Sequence, residues 1–175
     1  DVSAAMIEGR RQAAEVAAFM LRHVPGFEQA VITETAPHVG VRESRRILGD
    51  YVMTEDDITR PAEFDDAIAR GNWFVDIHNP HGMGTRHIHA PSGRYYEIPY
   101  RSLRPRGLDN VLIASRCISA THEAHAAVRI TPQIVAIGQG AGTAAALAVK
   151  DGHADSHQVD PSRLRELLRH DGAFV

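Results

Sequence analysis

Cysteine is almost missing from this chain: Cys117 is the single one in 175 residues. That excludes an internal disulfide framework and suits a reducing compartment, so a cytoplasmic location is expected. Charge of one sign is not in excess either. A net charge of −3 gives no electrostatic footing for nucleic acid or an anionic membrane, and neither is expected as a partner. Long apolar runs are absent as well. The most apolar stretch, Ile130–Val149, is interrupted by Gln133, Gln139 and three glycines, and reads as a buried helix rather than a membrane span. There is no visible signal peptide. Also lacking is a strand–GxGxxG–helix unit followed by an acidic residue, the usual holder of an ADP moiety. The one glycine cluster, Gly138-Gln139-Gly140-Ala141-Gly142, falls inside a helical stretch instead of opening one.

What is present is a core-forming composition. Hydrophobic residues make up 43% and charged residues 23%, enough for one sizeable globular core. The densest information lies between Asn110 and Lys150. Val111-Leu112-Ile113-Ala114 is a continuous apolar run after the turn-like Gly107-Leu108-Asp109-Asn110, as in a central strand covered on both faces. A long helix follows, with Thr131 as N-cap, Pro132 at its first position, Lys150 in the last turn and Gly152 just beyond. Ligands of open α/β sheets sit beyond the carboxyl ends of strands, and a helix N-terminus offers N–H groups to negative charge. Ser115–Arg129 therefore occupies the position where a cofactor is expected.

Elsewhere, Met6, Ala13, Ala17, Met20 and Val24 trace one apolar stripe on a first helix, Ser3–His23, closed by Pro25-Gly26. Residues 30–35 and 46–54 are β-prone, and Thr54-Glu55-Asp56-Asp57 resembles the capped start of a short helix. A second short helix is predicted after Pro61, carried by Phe64, Ala67 and Ile68 and ending at Gly71. Strands are predicted over 73–77 and 94–99, with a loop over Asn79–Gly93 between them. Asp160 caps a terminal helix, Pro161–His170, whose buried edge is Leu164, Leu167 and Leu168.

The stretch Ile98–Val149, IPYRSLRPRGLDNVLIASRCISATHEAHAAVRITPQIVAIGQGAGTAAALAV, resembles the C-terminal end of a FAD-dependent oxidoreductase of the broad glutathione-reductase-like class. It is most similar to bacterial members of undefined substrate, and TETAPHVGVRESRRILGDYVMTEDDIT and FDDAIARG extend the likeness. The resemblance implies an α/β fold: the C-terminal portion of a Rossmann-like FAD-binding domain plus part of a β-rich substrate region. Such a unit is incomplete without an N-terminal GxGxxG portion, and the chain, which starts at Asp1, is expected to be part of a larger protein that supplies it. On this basis residues 1–27 form a helix packing on the FAD domain and 28–97 part of the substrate-side region. Residues 98–152 form the last strand and helix of the FAD-binding domain, and 153–175 a C-terminal helix. Alone, the chain is expected to fold poorly, because the 111–114 strand would lack neighbours.

The resemblance also implies site residues. The helix opening at Ile130, Thr131 and Pro132 would point its partial positive charge at the flavin ring. Arg116 and Cys117 lie in the segment that lines the ribityl chain and pyrophosphate, where a guanidinium matches two phosphate oxygens at once. Cys117 is assigned no catalytic role, since a lone thiol beside an apolar strand is more often core. His122, with an ordinary pKa near neutrality, is the candidate acid–base group beside the flavin. Tyr100 and Arg101 are candidates for the substrate side. Arg42 and Glu43, in the charge cluster GVRESRR, form either an ion-pair network or part of the same site.

The eleven histidines carry the rival reading. His78/His81, His87/His89 and His122/His125 have chelate-like spacings, but an HExxH motif would need His where Ala126 stands. The expected activity is hydride transfer between a small-molecule substrate and FAD, with no metal. A histidine-based hydrolase and a non-catalytic module derived from a flavoprotein remain open beside it, as does assembly with a second copy.

Overall fold

The computed structural model describes residues 1–79 and 84–175 as a mixed helix-and-sheet protein. His81 of the first histidine pair lies outside the described residues. The chain divides into two compact units, 1–42 and 43–175.

The first unit is built on helix α1 (Val2–His23), capped by the Asp1 carboxylate on the Ser3 N–H at 2.9 Å. The stripe residues Met6, Ala17, Met20 and Val24 are half-buried, as their spacing predicts, whereas Ala13 is exposed. Residues 30–35 are exposed and form no strand, because no edge within the unit offers them a backbone partner.

The second unit holds the core. Helix α2 (Glu55–Thr59) starts at the predicted capping box, with Thr54 and Asp57 bonded reciprocally. Where a helix is expected after Pro61 and ending at Gly71, the chain instead forms strand β1 (Ala67–Gly71). Intrinsic preference is weak there: Ala and Gly are poor strand residues. Antiparallel pairing with β4 (Tyr96–Pro99) decides the outcome, because it satisfies the backbone of both and buries Ala67, Ile68 and Ala69. Gly71 admits the Tyr96 ring, which would lie 2.7 Å from any Cβ at that position. Strand β2 (Val75–His78) is close to expectation, but the segment read as loop contains β3 (Thr85–Ile88), paired to it.

The largest departure is at 111–114. Among the described residues there is no parallel sheet, only the two antiparallel pairs β1–β4 and β2–β3. Val111, Leu112 and Ile113 are half-buried, Ala114 is exposed, and the segment is tied to the core by one Ile113 N–H donating to the Leu103 carbonyl at 2.9 Å. An apolar run becomes a central strand only when strands flank it, and none of the described residues do so.

Helix α3 (His122–Val128), not foreseen from the sequence, is capped by the Thr121 hydroxyl. Helix α4 (Thr131–Lys150) runs over the predicted span, and Gly152 adopts φ 73° just past its end. Its N-cap is Ile130 rather than Thr131, because Ile130 is the residue with extended dihedrals. Helix α5 (Pro161–His170) begins at the predicted Asp160 cap and buries Leu164 and Leu168, leaving Leu167 partly exposed. Helices α4 and α5 cover β1, so Ile137, Ala141 and Ala144 share one core with Ile68, Ile98, Leu164 and Leu168. Among the described residues no helix is long and apolar enough to cross a membrane.

The small residues of α4 divide into two roles. Gly140 is buried against β1, where a Cβ would lie 2.9 Å from the Ile68 Cβ. Gly138 and Gly142 face open space along a groove of about 580 Å³, lined also by Leu112, Ala114 and Ala145.

Candidate functional site

Residues 47–53 run alongside 117–121. The Ile47 N–H donates to the Cys117 carbonyl at 2.8 Å, the Met53 N–H to the Ser119 carbonyl at 3.1 Å, and the Thr121 N–H to the Met53 carbonyl at 2.7 Å. Gly49 permits this approach: a Cβ there would lie 2.8 Å from the Ser119 Cβ. The rail carries Glu43 to the first turn of α3.

There Glu43 Oε2 lies 2.7 Å from His122 Nδ1 and 3.6 Å from His125 Nδ1, while Oε1 contacts the Arg46 guanidinium. His122 is about half exposed, its side chain at 52%, whereas His125 is buried at 2%. The His125 Nε2 lies 3.1 Å from the Arg116 carbonyl, so its Nε2–H donates there and Nδ1 has no hydrogen-bond partner. Desolvation holds the His125 imidazole below its usual pKa, with Arg46 and Arg129 acting in the same direction and the Glu43 carboxylate opposing. Glu123, beside His122, is held below the ordinary carboxylate range by its own backbone N–H in the first turn of α3.

Arg116 is exposed, with no ion pair for its guanidinium among the described residues. Cys117 is half-buried, its N–H donating to the Ser115 hydroxyl at 3.1 Å. At the start of α4, Thr131 and Pro132 are exposed and Ile130 half-buried. No side chain caps this end and no acidic residue occupies its first turn, so its partial positive charge is not neutralised locally. One residue on, Gln133 is 4% exposed and its Oε1 has no partner.

Tyr100 and Arg101 lie elsewhere, in a short 3₁₀ turn packed into the core. Tyr100 is fully buried, its hydroxyl donates to the Ser156 carbonyl at 2.9 Å, and burial pushes its pKa to about 12. Arg101 pairs with the buried Asp66 at 3.1 Å and lies over the rings of Tyr51 and Phe64.

The model for the FAD dependent oxidoreductase family matches residues 1–168. The chain belongs to that family. Nothing among the curated proteins or the solved structures matches it. As a member of the FAD dependent oxidoreductases, the protein is a flavin-dependent oxidoreductase in general class, with FAD the cofactor that the family name implies. The α4 N-terminus fits such a group: its backbone N–H groups are uncapped by any side chain and suit the polar edge of a flavin ring.

The histidine pairs distribute differently from the chelates that spacing suggests. His78 and His87 each pair with Asp76, at 3.3 and 3.1 Å, on the β2–β3 hairpin, while His122 and His125 share Glu43. Among the described residues, the cluster whose ligand atoms could meet at one ion is Asp109, Asp155 and His157. Both ring nitrogens of that histidine already pair with carboxylates, Nδ1 with Asp155 at 2.6 Å and Nε2 with Asp50 at 3.0 Å. The convergence of Glu43 on His122 had one signal in the sequence, the GVRESRR cluster. A separation of 79 positions conceals the contact.

Proposed function

We propose that this chain forms the flavin-ring and substrate side of an oxidoreductase that moves a hydride between a small molecule and FAD. The carrying observation is the family match over 1–168. In this reading the N-terminus of α4, at Ile130, Thr131 and Pro132, abuts the flavin ring, and Arg116 with the Cys117 backbone meets the pyrophosphate. A GxGxxG unit, absent from these residues, is supplied by another stretch of the protein and holds the ADP half. That portion completes a Rossmann-like sheet beside 111–114, an apolar segment without a strand neighbour among the described residues.

When bound, FAD supplies the acceptor for a hydride leaving a substrate C–H bond, and a second acceptor restores it. His122 takes the proton released from the substrate heteroatom on its outward ring nitrogen, and in the reverse direction returns it. Glu43 balances the positive charge that this places on the ring. Arg101 and Tyr100 support the substrate side through the Asp66 network rather than by direct contact.

Native mass spectrometry of the protein from its source, followed by denaturation, should release a FAD-sized mass. Arg116→Ala should weaken retention of added FAD, and His122→Asn should slow flavin reduction by a panel of small molecules by about 10²–10⁴-fold. A protein that neither releases nor takes up FAD would refute the reading.

A further inference from the structure

We propose that Glu43 is the positioning residue for His122, holding its imidazole with the proton on Nδ1 and Nε2 turned outward as the proton-accepting atom. The inference rests on the assignment of His122 as the acid–base group.

An ionised carboxylate accepts only, so the 2.7 Å contact between Glu43 Oε2 and His122 Nδ1 requires a hydrogen on that nitrogen. A neutral imidazole carries one ring proton, which leaves Nε2 bare. His125 does not compete for the same oxygen. Its Nε2 faces the Arg116 carbonyl at 3.1 Å, also an acceptor only, so its proton is on Nε2 and its Nδ1 has none to give. Glu43 Oε2 therefore has one histidine donor, His122, although two rings approach it. Arg46 on Oε1 fixes the plane of the carboxylate.

Rigidity comes from both sides. The Thr121 hydroxyl caps α3 immediately before His122, and the Ile47 to Cys117 and Met53 to Ser119 bonds hold the Glu43 segment against that turn. His122 is half exposed, and no partner occupies its Nε2 among the described residues. Glu123, the next residue on α3, also interacts electrostatically with the ring. Glu43 thus acts on the reaction through the tautomer of His122 and touches no reacting atom itself.

The test reads that tautomer. The protein as isolated, with whatever flavin it carries, is labelled with ring-¹⁵N histidine and measured by long-range ¹H–¹⁵N correlation near pH 8; His122→Asn identifies the signal. Native His122 should be predominantly Nδ1–H. Glu43→Gln, whose amide oxygen still accepts, should keep that state, and Glu43→Leu should reverse the majority to Nε2–H. Unchanged His125 signals show that the local fold survives. A native His122 already in the Nε2–H form, or one unmoved by Glu43→Leu, overturns the proposal. If Glu43→Leu loses the His125 signals, the native spectrum alone decides. Turnover is not the readout, so failure of the flavin reading and failure of this one are separable.

Discussion

Glu43 Oε2 stands 2.7 Å from His122 Nδ1 and 3.6 Å from His125 Nδ1, although one ring is half exposed and the other buried. A single carboxylate thus faces two imidazoles in unlike surroundings. In the proposed reading the exposed ring exchanges protons with a substrate, whereas desolvation favours the neutral form of the buried ring, which lies between Glu43 and the Arg116 carbonyl.

The buried ring gives a stability signature. Desolvation lowers the His125 pKa in the folded state, whereas the unfolded imidazole titrates near about 6.5. Below that pH the unfolded chain takes up a proton that the folded chain resists. The contribution is therefore present above about pH 6.5 and is lost progressively as pH falls beneath it. Thermal midpoints measured from pH 8 to pH 5 should fall more steeply for the native protein than for His125→Gln. Equal slopes would show that folding does not lower the His125 pKa.

Two glycines of α4 should respond in opposite directions. Gly140→Ala places a Cβ 2.9 Å from that of Ile68 and should cost about 1–3 kcal/mol by overpacking. Gly138→Ala meets nothing within 4 Å and should be neutral or stabilise the helix by up to about 1 kcal/mol. Urea unfolding of both variants decides. A destabilised Gly138→Ala would mean that the groove beside it is filled in the working protein.

Glu97 is 3% exposed and accepts from the Phe64 N–H at 2.7 Å and from Arg70 at 2.8 Å, with Arg165 at 3.8 Å. Removing the carboxylate strands the partly buried Arg70 and the backbone donor. Glu97→Ala should lower stability by about 3–5 kcal/mol, whereas removing both charges in Glu97→Gln/Arg70→Met should cost less. Denaturation midpoints of the two variants test the ordering.

Tyr100→Phe separates support from catalysis. The hydroxyl donates to the Ser156 carbonyl inside the core, so its loss should cost about 1–2 kcal/mol. Flavin reduction measured at a temperature where the variant is folded should remain within about twofold of native. A drop comparable to that expected for His122→Asn would place the phenol at the reacting atoms.

Local signals determined the elements whose cause is local. The α1 stripe, the capping box at Thr54, the Asp160 cap and the span of α4 with Gly152 beyond it all follow from contacts within a few residues, and each was legible in the sequence. The resemblance to FAD-dependent oxidoreductases was legible too, because it is spread along most of the chain. Only the tertiary structure decided that 67–71 is a strand, since its weak propensity yields to β4, and that 111–114 is not one, since no described strand flanks it. It also decided which glycine packs and which stays open, and drew Tyr100 into the core. The same holds at His122: a three-residue histidine spacing suggests a chelate, but the carboxylate that organises the ring comes from 79 positions away. Side-chain chemistry was written in the sequence, whereas the partner of each side chain was fixed by chain segments meeting in space.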